Sequence, residues 1–471
     1  MSRREPGGPA RLSVRRSAGL FFVAVSLSHL SQFAWLAAGS RVMSAATFGA
    51  VLSAQVLYAL LQIVIDNGTA AFGARSAAQG TVSEGELGQV VRLRLTLTLF
   101  AVPLGLAIGA ASGTLDATAP YMLALAGFAL FNVWQPYGQG DPRPWASYMF
   151  GRSVLPAAVA VGFAIAGLSF PSALAGALEV VVLVVIVVAT GQRPLRDLRL
   201  GLAARGGPWR STLSIGVPAV LQQASLAVGT LALSISGAPR AAGAFAACVR
   251  LLTGLNALNG ILATAMFPSL AERGGLAVGA PRVTTALRLV IALAFAVTAV
   301  ASGAAHPIAH ALLNRSSVAT ESALVLTTAA GAATGTIVML TYVLVAAGGE
   351  RRVLPAYSVG SVLTLACAAL AVATVGGRVD VMAGVLLAGQ LVTMGGLVLA
   401  AGRLLPDYRA SARGAALASL ALAGLATAGA AAGEGVPVAV LLAVGAVAAA
   451  WGGRHEVLSG LGPWRRRRTA T

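Results

Sequence analysis

Runs of about 20 mostly apolar residues recur along the whole chain, separated by short links that carry Arg, Gly or Pro. A helix rises 1.5 Å per residue, so about 20 such residues cross a hydrocarbon core roughly 30 Å thick. The pattern predicts fourteen spanning helices, at 17–38, 47–66, 92–112, 118–137, 149–169, 172–190, 212–234, 242–265, 283–303, 322–346, 353–375, 380–402, 413–432 and 436–452. No link is long enough to hold a globular domain. The expected fold class is therefore all-α: a polytopic membrane protein of about 14 transmembrane helices. Two six-helix lobes (1–190 and 212–402) are joined by a linker (191–211) and followed by a terminal helix pair with a basic tail (403–471). The first run follows "MSRREPGGPARLSVRR" and has the shape of a secretory signal, but with so many spans behind it we read it as a retained first helix.

Composition agrees with this reading. Of 471 residues, 57% are hydrophobic and 10% charged, whereas a soluble domain carries about 25% charged residues. The net charge of +18 does not point to nucleic acid, because the basic residues are scattered through the links. All 33 of them are arginine, and they are distributed unevenly between the two sides. With the N-terminus placed inside, 28 fall on the inner side, Arg41, Arg240, Arg315 and Arg378 fall outside, and Arg250 alone lies within a span. The positive-inside rule then predicts cytoplasmic N- and C-termini in a bacterial plasma membrane. The tail arginines, Arg465–Arg468, are expected to rest on anionic headgroups. Cys248 and Cys367 sit in separate apolar runs and form no disulfide or metal framework. His306 and His310 are spaced i,i+4 but have no further ligand nearby.

Arg250 lies in "FAACVRLLTGLNALNG". A charge at the bilayer centre costs roughly 2.5–3.5 kcal/mol on insertion scales, so something must offset it. At 100° per residue, Gly243, Ala246, Arg250, Thr253, Ala257 and Gly260 share one face. Leu251, Leu252, Leu255, Leu258 and Leu262 share another, expected to meet lipid. The small, polar face either lines a cavity or packs around a structural ion pair. Glu179 and His29 lie at similar depth, and Asp66 closes the second span. These three are candidates for proton coupling; a static salt bridge, a satisfied interhelical histidine and a helix-end carboxylate are the competing readings. Paired carboxylates and nucleophile–base sets do not occur, and outer links are short. A sugar transferase or ligase, a scaffold subunit and any cofactor are therefore disfavoured.

The second span, "TFGAVLSAQVLYALLQIVIDNG", is weakly similar to the eighth, "AAGAFAACVRLLTGLNALNG", as a parallel six-helix repeat requires. Together with "AAGSRVMSAATFG", "IVIDNGTAAFGAR", "QPYGQGDPRPWASYMFGRSV" and the Phe-Pro ending of the eighth span, these stretches resemble the Wzx-type oligosaccharide flippases of the multidrug/oligosaccharidyl-lipid/polysaccharide exporter superfamily. The chain departs from that pattern at Gln135-Pro136, where apolar residues are expected. The resemblance implies two lobes around a central cavity, alternating access, and a polyprenyl diphosphate-linked oligosaccharide as cargo. It implies that Arg250, with Thr253 beside it, and Arg41 attract the diphosphate. Partners would be the lipid-linked oligosaccharide, membrane lipids and enzymes of envelope glycan synthesis, with no nucleic acid. A lipid II flippase and a cation-coupled multidrug exporter are the alternatives within the same superfamily.

Overall fold

The computed structural model describes residues 14–70, 72–73, 83–131, 141, 143–205, 209–271, 275–314, 317–405 and 408–432. Among these residues the chain forms fifteen α-helices and no strand. They are α1 (Val14–Val42), α2 (Ala45–Asp66), α3 (Glu84–Ala111), α4 (Leu115–Phe128), α5 (Arg143–Ala166), α6 (Leu174–Ala189), α7 (Pro194–Ala203), α8 (Trp209–Ile235), α9 (Pro239–Ala271), α10 (Gly275–Gly303), α11 (Ala305–Leu313), α12 (Val318–Ala346), α13 (Glu350–Val375), α14 (Val379–Leu404) and α15 (Arg409–Ala432). Each of the first thirteen expected spans overlaps one of these helices, the fourth only as far as Phe128, where the 14-residue α4 ends; 132–137 of that span lie outside the described residues. The fourteenth and the Arg465–Arg468 tail lie outside the described residues. Among the described residues, ten helices are long and apolar enough to cross a membrane on their own. The sixth expected span is shorter: α6 has 16 residues and bends by 92° into the linker helix α7. Exposed side chains such as Leu99, Phe100, Ile165 and Val188 give these helices apolar outer faces suited to acyl chains.

The chain divides into two compact units, 1–43 with 57–220, and 44–56 with 221–471. The first half of α2 thus belongs to the second unit and its second half to the first. In the first unit α1 packs on α5, α3 on α4 and α7, and α6 on α4 and α5. Ser28 and Ser153 join α1 to α5 through hydroxyls 2.6 Å apart. The start of α3 is set by a capping box: Ser83 Oγ accepts from Glu86 N, and Ser83 N donates to Glu86 Oε2, both at 3.1 Å. This reciprocal pairing satisfies two of the orphan donors at the helix start.

The second unit is organised around α12, which is buried along almost its whole length and packs against α9, α10, α13, α14 and α15. Its middle reads "TTAAGAATGT", and such small side chains let neighbouring backbones approach closely. α13 and α14 meet through two reciprocal contacts. A Cβ on Gly360 would lie 1.8 Å from Thr393 Oγ1, and one on Gly389 would lie 1.8 Å from Thr364 Oγ1. Each threonine hydroxyl donates to the carbonyl of the glycine four residues earlier on its own helix, Thr364 to Gly360 at 2.7 Å and Thr393 to Gly389 at 3.0 Å.

Candidate functional site

In the second unit α2 and α9 start side by side. A Cβ on Gly49 would lie 1.8 Å from Pro239 O, and one on Gly243 would lie 2.7 Å from Gly49 Cα, so only glycines allow this approach. Two turns further on, Arg250 Nη2 donates to Gln55 Oε1. Both side chains are half-buried. Thr253 Oγ1, one turn further along α9, donates back to the Arg250 backbone carbonyl at 2.9 Å. Around this point α9 is an interior helix: Phe245, Ala246, Cys248 and Leu252 are all buried. Leu252 was expected on a lipid-facing side, but α9 packs against α10, α12 and α14 and encloses it. Further along α9, Asn259 is 5% exposed and sits where a Cβ on Gly335 of α12 would meet its Nδ2 at 2.5 Å.

The first unit holds a second polar cluster. Glu179 of α6 is 4% exposed. Its Oε1 accepts from the hydroxyls of Tyr58 (α2) and Tyr148 (α5), each at 3.0 Å. Arg152 Nε lies 3.6 Å from the same oxygen. The guanidinium also lies over both tyrosine rings, 5.6 Å and 5.3 Å from their centroids. Its Nη1 donates to Gln62 Oε1 at 3.1 Å, and Gln62 Nε2 donates to Tyr148 Oη at 2.9 Å. Two hydroxyl donors and a cation on one carboxylate offset the desolvation that burial imposes. Glu179 is thus ion-paired within its own unit.

Asp66 forms a third cluster about 12 Å further along α2 from Tyr58, at 1.5 Å per residue. Arg94 of α3 pairs with its Oδ1, which also accepts from Thr69 Oγ1 at 3.1 Å and Ala70 N at 3.2 Å. Arg94 is 1% exposed. It donates to Thr69 Oγ1 at 2.7 Å and to the Phe131 carbonyl at 2.9 Å, and stacks over Phe128. Arg94 therefore ties the carboxylate at the end of α2 to the Phe128–Phe131 end of α4. His29 is half-buried on α1. Arg41, in the last turn of α1, is exposed and donates to the Ala37 carbonyl of its own helix. In the second unit Arg250 and Thr253 lie one turn apart on α9; in the first, Glu179 and Asp66 belong to two different clusters, and His29 and Arg41 lie on α1.

One expectation is corrected. Arg250 is not the sole arginine within a span: Arg94 and Arg152 lie well inside α3 and α5, and already fall within the expected runs 92–112 and 149–169. Gln55, Tyr58 and Tyr148 carried no sequence signal of their own; Arg94 and Arg152 did, as charges within the expected runs 92–112 and 149–169.

No protein-family model matches the chain. No curated protein matches it. Solved structures do. A transporter of the MOP superfamily from Pyrococcus furiosus, described as having a binding pocket of reverse polarity that suggests a different function, is 16% identical with a TM-score of 0.53 over 84% of this chain and 97% of that one. A MATE protein in complex with MaL6 is 15% identical, with a TM-score of 0.50 over 85% and 98%. MATE in the bent conformation is 14% identical, with a TM-score of 0.50 over 85% and 98%. Identities this low speak for architecture and not for cargo. The chain is a polytopic, all-helical membrane protein with the fold of the MATE transporters of the MOP superfamily.

Proposed function

We propose that this chain is a bacterial plasma-membrane exporter, with both termini cytoplasmic, that carries a polyprenyl diphosphate-linked oligosaccharide between leaflets by alternating access. The observation that carries this reading is the setting of Arg250. Its guanidinium is half-buried inside a long apolar helix, two turns beyond the glycine contact of α2 with α9, and donates to the Gln55 carboxamide. Gln55 helps to orient the fork. A planar fork of N–H donors matches a diphosphate, and such a group balances the cost of keeping the charge in the membrane. Thr253 offers a hydroxyl on the same face, and Arg41 an exposed cation at the end of α1. Enzymes of envelope glycan synthesis would supply and consume the cargo, and the chain itself needs no catalytic group. A lipid II carrier would use the same arginine chemistry.

The test is translocation of a fluorescent lipid-linked oligosaccharide in proteoliposomes. Arg250→Ala abolishes it while the protein stays folded; Arg250→Lys retains about a tenth of the rate, since a point charge replaces a fork. Wild-type transport by Arg250→Ala refutes the reading. A second reading, a cation-coupled exporter of organic cations, is favoured by the buried Glu179 carboxylate. It requires that Glu179→Gln flatten the pH dependence of efflux, and an unchanged pH profile removes it.

A further inference from the structure

A groove of about 350 Å³ opens between α10 and α15, away from the residues discussed above. Its lining changes character along the helices. Thr284 of α10 and Ser411 of α15 mark one end, beside Ala410; Leu287 and Arg288 stand one turn further in, and Ile291, Gly414, Ala415 and Ala418 continue from there. The two helices run in the same direction here, because Thr284 and Ser411, each near the start of its span, meet with hydroxyls 2.6 Å apart. From Thr284 to Ile291, and from Ser411 to Ala418, the groove runs about 10 Å along both helices. Two hydroxyls thus stand at the membrane end that the arginine asymmetry assigns to the cytoplasm, a cation follows one turn further in on a helix whose side chains lean back towards that end, and an apolar trough extends beyond it towards the bilayer centre. Gly414 keeps that trough open, since a Cβ there would have nothing within 4 Å.

We propose that this groove is a binding site for an anionic phospholipid of the inner leaflet, distinct from the cargo site. The polarity gradient of the groove is that of such a lipid. The phosphate would lie against Arg288, whose five donors serve several acceptors at once. When Thr284 donates to Ser411, the Ser411 hydroxyl is left to donate to a phosphate oxygen. The glycerol and the first part of an acyl chain would lie along Ile291, Gly414 and Ala418. A neutral zwitterionic lipid fills the same trough but brings its own ammonium against Arg288, so the site selects for net negative charge.

The experiment is native mass spectrometry of the full chain, released from detergent with phosphatidylglycerol and phosphatidylethanolamine of equal chain length. Wild type retains phosphatidylglycerol about tenfold more tightly. Arg288→Gln brings that ratio close to one. Gly414→Leu, which keeps every charge and fills the trough, loses retention of both lipids. Arg413→Gln removes a charge about 200° around α15 from Ser411 and leaves the ratio unchanged. Should Arg288→Gln not fold, Gly414→Leu decides alone. Wild-type retention in Gly414→Leu, an unchanged ratio in Arg288→Gln, or displacement of the lipid by millimolar inorganic phosphate overturns the proposal, the last by showing a site for a free anion.

Discussion

Replacing Arg152 by Met removes the cation from the Glu179 cluster while keeping most of the volume between the tyrosine rings. Breaking one side of a buried ion pair costs about 3–5 kcal/mol, because the remaining charge has lost its compensation. Arg152's side chain is 22% exposed, so water shares in its solvation and the low end, about 3 kcal/mol, applies. The Tyr58 and Tyr148 hydroxyls still donate to Glu179 and limit the damage. Glu179→Gln keeps an acceptor for both tyrosines and leaves Arg152 with Gln62 and partial hydration, a loss of about 1–2 kcal/mol. The double variant, with no charge left to strand, should lose about 2 kcal/mol, well short of the sum of the singles. The coupling energy is then about 2 kcal/mol, readable by reversible unfolding in mixed micelles with tryptophan fluorescence as the signal. Additivity within about 0.5 kcal/mol refutes the reasoning and makes the tyrosine hydroxyls sufficient for Glu179.

The cluster at Asp66 should behave alike: Asp66→Asn strands the buried Arg94 and lowers unfolding free energy by about 3 kcal/mol, with Arg94→Met in the same chain restoring part of it. Gly49→Ala drives a methyl group into the Pro239 carbonyl and should cost more than about 2 kcal/mol, while Gly162→Ala, with open space around it, should be neutral or slightly stabilising; thermal unfolding in detergent separates the two. Arg250→Gln should leave that unfolding temperature within a few degrees of wild type although transport is lost. A membrane-permeant maleimide should modify the half-buried Cys367 well before the buried Cys248, as peptide mapping will show.

The bilayer made most of the fold legible. It demands apolar stretches of one length, and the expected spans 17–38 to 413–432 each meet a helix. Helix starts were less legible, because polar turns extend beyond the apolar run. α3 begins at its Ser83–Glu86 box, eight residues before the run at 92, which puts Arg94 nearly three turns into the helix and not at its edge. Glu179 stood out as an isolated carboxylate in an apolar helix, and Arg250 as an isolated cation. Their partners did not stand out. Tyr58 lies 121 residues from Glu179, and Gln55 lies 195 from Arg250, and neither pairing leaves a trace in local periodicity. Leu252 shows the same limit: helical projection finds faces, but what covers a face is decided by distant segments.

The crossed threonines and glycines of α13 and α14 have an evolutionary consequence. Neither position at either crossing can gain volume unless the opposite one gives it up. A drifting lineage should therefore change Gly360 together with Thr393, and Gly389 together with Thr364, with a bulkier residue on one helix matched by a smaller one on the other. Because each hydroxyl is tied to its own backbone, such exchanges leave no polar atom stranded, and natural variants of the two helices should trade methyl groups across the seam while the distance between their axes stays constant.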